Sequence, residues 1–214
     1  GPKAIDVAQR LFGQVAIDLK FFGFVETELD GIPLVLARSG WSKQGGFELY
    51  LKDRTAGSAL WHLVREAGAP FGIGPGAPND IERLESGLVS YGADIRWQDY
   101  PATPFEVGLG GLVDLKSDHE FVGRTALERL AQSEPVRSRV GFVLDGRPTF
   151  PGHPCRVQLN GKDIGHISEF AFSKRLGKTI GVGLIQTAFS KADDLDVMLE
   201  TGPVPARVHK IPFL

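Results

Sequence analysis

The 214-residue sequence has only one cysteine, Cys155, so no disulfide can close within the chain and no zinc-binding cysteine cluster can form. A reducing compartment suits that usage. The five histidines, His62, His119, His153, His166 and His209, are scattered without metal-ligand spacing and read as surface or packing residues. No apolar run approaches the roughly 18 residues of a membrane span, and no basic-then-apolar leader opens the chain, so the reading is cytoplasmic, with no membrane partner. An excess of either charge is lacking as well. With 24 basic and 26 acidic side chains the net charge is -2, which gives no bulk attraction to nucleic acid or to anionic lipid and leaves a small molecule as the expected ligand. Hydrolase elbows, phosphate loops and paired-histidine metal motifs are missing too. The glycine-rich GIGPG at 72–76 lacks phosphate-loop spacing and reads as a turn. Cys155, within a β-like run, reads as an inert small hydrophobe.

What remains is 42% hydrophobic, enough for a real core in one large or two modest domains. Residues 3–12 carry Ile5, Ala8, Leu11 and Phe12 at helical spacing, which predicts a short amphipathic helix. The period then changes. Residues 21–26 and 32–37 read as strands joined through Leu29, Asp30 and Gly31, and Asp-Gly between β-rich runs signals a hairpin. Residues 47–51 read as a third strand, and 55–67 as a helix with Ala59, Leu60, Leu63 and Val64 on one stripe. A helix is expected to start near Pro78, Asn79 and Asp80 and to stop at Gly87. A Gly- and Pro-rich stretch over 101–118 is followed by a helical run over 121–132. From Arg139 onward short β-like runs alternate with turn residues such as Asn160-Gly161, which predicts a small antiparallel barrel or sandwich.

One segment carries specific information. RSGWSKQGGFELYL, residues 38–51, resembles the hallmark of the glycine cleavage T-protein superfamily, whose pattern Arg-Ser/Thr-Gly-Tyr-Thr-Gly-Glu-x-Gly-Phe-Glu is matched at Arg38, Ser39, Gly40, Gly46, Phe47 and Glu48. The blocks GPKA, GIGPGAPNDIERLESGLVSYGADI, PFEVGLGGLVDL and DHEFVGRTAL follow in the family's order, so the resemblance spans essentially the whole chain. It implies an α+β fold: part of a ferredoxin-like sheet domain that holds folate over residues 1–116, a helical connector over 117–136, and a C-terminal antiparallel β-barrel over 137–214. It also implies tetrahydrofolate as co-substrate and a folate-dependent one-carbon transfer, of a methyl or aminomethyl group, as the activity.

Glu48 suits that role on chemical grounds, because a pterin presents its amino group and an adjacent ring N–H as parallel donors that one carboxylate accepts together. Residues 48 and 50 of a strand share a face, so Tyr50 is expected beside Glu48. Arg83, in ERLESG, matches the arginine of the family's Leu-Arg-Leu-Glu-Ala-Gly motif, which implies contact with the folate or with the residues that hold it. Phe21 and Phe22 match an aromatic patch lining the site in relatives, and core packing is the other reading for each.

Trp41 stands where the family has Tyr, Tyr50 replaces an aliphatic residue, and Asn79 replaces an arginine. Together with GIGPGAPN and LVSYGADI, these departures look most like the demethylase branch that acts on dimethylsulfoniopropionate. The electron-rich rings of Trp41 and Tyr50 are then expected to hold a sulfonium methyl donor by cation–π attraction. Aminomethyl transfer, another folate-dependent demethylation and a non-catalytic folate-binding homologue stay open as alternatives. Because relatives are longer, the chain is expected to be a C-terminal portion that needs an N-terminal part as partner, with the catalytic residues unassigned.

Overall fold

The computed structural model describes residues 1–40, 45–76, 80–96 and 98–214, which divide into two compact units, 1–79 and 80–214. Trp41 and Asn79, and the expected helix start at Pro78, lie outside the described residues.

In the first unit, helices α1 (Ala4–Phe12) and α2 (Gln14–Asp18) precede three strands, β1 (Phe24–Leu29), β2 (Ile32–Arg38) and β3 (Phe47–Leu51), and helix α3 (Gly57–Gly68) follows. The strands form one antiparallel sheet in the order β1-β2-β3. At the β1–β2 turn Asp30 and Gly31 have φ of 50° and 76°, the left-handed pair that a two-residue hairpin demands and that Asp-Gly supplies cheaply. Strand alternation sends Leu34 and Leu36 inward against Ala8, Ala16 and Leu60, joined by Phe12, Val25, Phe47, Leu49 and Leu51. The opposite face, bearing Phe24, Glu26, Glu48 and Tyr50, is open to solvent.

Two boundaries differ from the sequence expectation, each for a local reason. β1 starts at Phe24 rather than 21, because Phe22 has a φ of 63° and the Gly23 N–H turns back to the Lys20 carbonyl at 2.8 Å. The helix expected from 55 opens as a 3-10 turn over Arg54–Ala56, capped by the Asp53 side chain on the Thr55 N–H at 2.9 Å.

The second unit opens with α4 (Asp80–Ser86) and a stretch of turns, then α5 (Arg124–Leu130), shorter than its apolar pattern because Gly123 at its start has a φ of 92°. Six strands follow: β4 (Arg137–Leu144), β5 (Cys155–Leu159), β6 (Lys162–Ser173), β7 (Lys178–Gln186), β8 (Leu195–Leu199) and β9 (Gly202–His209). They close into an antiparallel barrel in the order β4-β7-β6-β5-β8-β9, so a barrel and not a sandwich is formed. Its interior is filled by Phe142, Val157, Ile167, Phe170, Ile185, Leu195 and Val197, with Cys155 among them.

α4 packs on the outside of that barrel, Leu84 against Ile180 and Val182, and the Ser173 hydroxyl donates to buried Glu85 at 2.5 Å. β7 is pressed unusually close to β6. A Cβ on Gly183 would stand 2.2 Å from the His166 carbonyl oxygen, and one on Gly181 would stand 2.5 Å from Ile167 Cδ1. The register between these strands shifts between Ile167 and Glu169, a bulge that tightens the local twist.

Candidate functional site

Glu48 lies on β3 opposite Ala37 of β2, and Tyr50 lies opposite Val35, so the two side chains stand on the open face of the sheet. They also touch. The Tyr50 hydroxyl donates to Glu48 Oε2, and the Ser39 hydroxyl donates to Oε1. These two donors, Ser39 first and Tyr50 second, hold the Glu48 carboxyl below its usual range, and the carboxylate in turn pushes the Tyr50 phenol up. Glu48 is therefore ionised at neutral pH and oriented at both oxygens. Each oxygen has a second lone pair, so two further donors can approach from solvent.

Exposed aromatic rings stand on β1 and in the turn before it. Phe24 pairs with Ala37 on the same face and is 72% exposed, while Phe21 and Phe22, 54% and 82% exposed, lie with ring centroids 4.3 Å apart and planes tilted by 51° in the turn before β1. That turn is pinned to the strand carrying the motif arginine. The Phe22 N–H donates to the Arg38 carbonyl at 2.8 Å, Arg38 Nη1 donates to the Leu19 carbonyl at 2.7 Å, and its guanidinium lies over Phe47. Arg38 thus acts within the unit to hold the aromatic turn beside the hairpin, rather than as a free cation. An ionised carboxylate on an open face that also bears the exposed ring of Phe24 fits a flat heterocycle that presents paired N–H donors.

Sequence reasoning placed Glu48, Tyr50 and Phe21 here. It did not single out Phe24 or the hydroxyl of Ser39. Phe24 carried one usable signal, an aromatic residue on the alternation phase opposite to Val25; the Ser39 contact crosses the hairpin and is set by β2–β3 register alone.

Arg83 belongs to the second unit and is wholly buried. Its Nη1 donates to both oxygens of Asp94 at 3.1 and 3.0 Å and to the Leu88 carbonyl at 3.1 Å, and Nη2 donates to Glu169 of β6. Arg139 shares Asp94 at 3.1 Å and donates to the Gly87 carbonyl at 3.0 Å. Burial pushes the Glu169 carboxyl up, more than Arg83 draws it down, and burial together with Arg83 lowers the Arg139 guanidinium. Of the two roles implied for Arg83, every partner seen is protein. The network ties α4 and the loop after it to the barrel wall. A second ion pair does the same lower on β4, where Arg137 holds Glu106 at 2.7 Å.

Comparison with known proteins bears on these features. The family model described as GCVT N-terminal domain matches residues 1–117, and the one described as glycine cleavage T-protein C-terminal barrel domain matches residues 137–214. Dimethylsulfoniopropionate demethylase DmdA of Ruegeria pomeroyi is 34% identical over 98% of this chain and 57% of its own length. The aminomethyltransferase of Listeria innocua is 34% identical over all of this chain and 58% of its own, and that of Prochlorococcus marinus is 36% identical with 57% of its own covered. The chain therefore spans a little over half the length of these curated relatives. The crystal structure of the glycine cleavage aminomethyltransferase T of Bartonella henselae superposes with a TM-score of 0.74 over 92% of this chain and 54% of that one, at 23% identity, which shows a shared fold.

Proposed function

The chain belongs to the glycine cleavage T-protein family, and from that premise we propose that it is the folate-holding sheet and barrel portion of a tetrahydrofolate-dependent one-carbon transferase. The observation that carries this reading is the ionised Glu48, braced by Ser39 and Tyr50 on an open face beside Phe21, Phe22 and Phe24. Glu48 accepts the pterin's paired N–H donors and so sets its rotation; the aromatic rings offer apolar surface to one of its faces. Tetrahydrofolate supplies the nucleophilic N5 that accepts the one-carbon group. Arg83 belongs to this proposal as a positioning residue, holding α4 through Asp94 and Glu169. Residues 1–116 form the folate-holding part and 137–214 the barrel, joined by 117–136, and the N-terminal part of the longer relatives supplies the remaining walls. The setting proposed is cytoplasmic.

For the donor, we propose a sulfonium methyl, with dimethylsulfoniopropionate as the specific compound. A sulfonium methyl is already activated for displacement, so the protein's task is alignment with the acceptor nitrogen. Tyr50, exposed next to Glu48, and Trp41 offer rings for the cationic sulfur, a contact of about 1–2 kcal/mol when desolvated. The similarity to DmdA at 34% supports this donor. The equal similarity to aminomethyltransferases supports aminomethyl transfer as the second reading.

The test uses the full-length protein containing this chain, incubated with tetrahydrofolate and dimethylsulfoniopropionate. Formation of 5-methyltetrahydrofolate is expected; aminomethyl transfer from a glycine-derived donor without any methyl product would select the second reading. Glu48→Gln is expected to weaken folate binding by about tenfold or more, as for the loss of a charge-assisted bidentate contact. Unchanged folate affinity in that variant would falsify the pterin assignment.

A further inference from the structure

A second polar concavity lies in the barrel unit, formed entirely by the β4–β5 loop, the β6–β7 hairpin and β9. The cavity has a volume of about 370 Å³ and is bordered by Arg147, Lys178 and Arg207, with Asp145 as its one acid. Small-ligand pockets begin at about that size. The three cations are exposed, and among the described residues none has an ion-pair partner. By contrast, the buried and half-buried arginines Arg83, Arg137 and Arg139 of this unit are paired with Asp94, Glu169 and Glu106. Three cations and a single acid around one concavity make a locally positive rim in a chain of net charge -2.

The site is also built, not merely charged. The Arg147 guanidinium lies 3.7 Å from the ring centroid of Phe172, which fixes its plane and leaves its N–H edge free. The Thr179 hydroxyl donates to the Gly146 carbonyl at 2.6 Å, clamping the loop that carries Arg147 onto β7. Arg207 is held opposite Val143 by the β4–β9 ladder, and Lys178 opposite Ser173 where the β6–β7 hairpin closes. Gly146 and Gly177, with φ of 68° and 66°, make the reversals that bring these three segments to one rim. A planar donor fork flanked by a second guanidinium and an ammonium is an arrangement that takes a multiply charged oxyanion.

We propose that this rim of the barrel is a binding site for a small anion carrying two or more charges, a phosphate or a polycarboxylate, independent of the folate site. Its ligand is held by the Arg147 fork with Lys178 and Arg207 supplying the balancing charge. Occupancy falls steeply with ionic strength, because all three cations are solvent-exposed and screened.

The experiment titrates the 15N-labelled chain, residues 1–214, with pyrophosphate and separately with citrate, at low and at raised salt. Saturable shifts of the amides of Gly146, Gly177, Lys178 and Arg207 are expected, weakened by salt. Tighter binding of pyrophosphate identifies a phosphate ligand and tighter binding of citrate a carboxylate; either supports the site. The double substitution Lys178→Gln with Arg207→Gln is expected to weaken binding by about tenfold or more. Arg147→Lys, which keeps the charge and removes the fork, is expected to weaken it by a few-fold while leaving the fold intact. Lys162→Gln, at the opposite end of β6, serves as the control and is expected to change nothing. Absence of saturable shifts with both probes, or equal weakening by the Lys162 control, overturns the proposal.

Discussion

Glu48 and His166 show how one residue's surroundings set its chemistry in opposite directions. Glu48 is exposed, yet two hydroxyl donors stabilise its charged form and make it a standing acceptor. His166 sits on β6 with its ring 4.4 Å from that of Tyr100, and its buried Nε2 has no hydrogen-bond partner among the described residues. Burial first, and the charge of Arg137 second, push its pKa down to about 4. The native state thus keeps His166 neutral where the unfolded chain, near 6.5, takes up a proton. The unfolded state binds more protons between those values, so stability is full above about pH 6.5 and falls as pH drops towards 4. Replacing His166 with Phe is expected to remove about 2–3 kcal/mol of the stability difference between neutral pH and about pH 4.5. Urea unfolding at the two pH values measures it, and an unchanged difference would show that His166 is not held neutral.

At the scale of elements, two strands carry the most demanding geometry. β7 reads TIGVGLI, and its glycines are where β6 crosses closest. A methyl group on Gly183 has backbone, not a flexible side-chain end, in its path, at 2.2 Å from the His166 carbonyl oxygen and 2.6 Å from Ile167 Cα. The Gly183→Ala substitution is expected to destabilise the barrel by about 1–3 kcal/mol or more through forced separation of β6 and β7. A lowered urea midpoint, with loss of amide protection concentrated on β6 and β7, is the reading that bears this out; an unchanged midpoint contradicts it. β3 makes the complementary case. Its alternation was plain in FELYL, with Phe47, Leu49 and Leu51 turned to the core and Glu48 and Tyr50 turned out. The short helix α4 depends on tertiary partners throughout. With 7 residues it is too short to persist alone, and it is held by Leu84 in an apolar seat and by the Arg83 ion pairs.

For the whole molecule, the chain covers 57–58% of the length of its demethylase and aminomethyltransferase relatives, while the Glu48 face remains open to solvent. If the pterin binds this face as proposed, the face contacts it on one side only, so much of the affinity available from burial is forgone. Residues 1–214 alone are therefore expected to bind tetrahydrofolate at least about tenfold more weakly than the full-length protein, with no turnover. Isothermal titration of the two proteins decides this; equal affinity would mean that these residues hold the whole folate site. The anion site at the barrel rim gives an internal reference for that comparison, since its residues all lie within 143–207 and its affinity is expected to be the same in both proteins.

Periodicity and turn chemistry alone determined the helix at the start, the Asp30-Gly31 and Asn160-Gly161 hairpins, the three sheet strands and the existence of six β-runs after residue 137, because these depend on neighbours within a few residues. The ordered motif blocks determined the family. Only the tertiary structure decided that the six runs close into a barrel, since that rests on β4 pairing with β9 more than sixty residues away. Only it decided that Arg83 is spent on Asp94 and Glu169, a pairing that spans 86 residues and that no local pattern encodes. The outward turn of Phe21 and Phe22 followed from one positive φ, and the bracing of Glu48 by Ser39 and Tyr50 followed from hairpin register. Short-range regularity writes elements into a sequence, whereas charge pairing and closure depend on which distant strands meet.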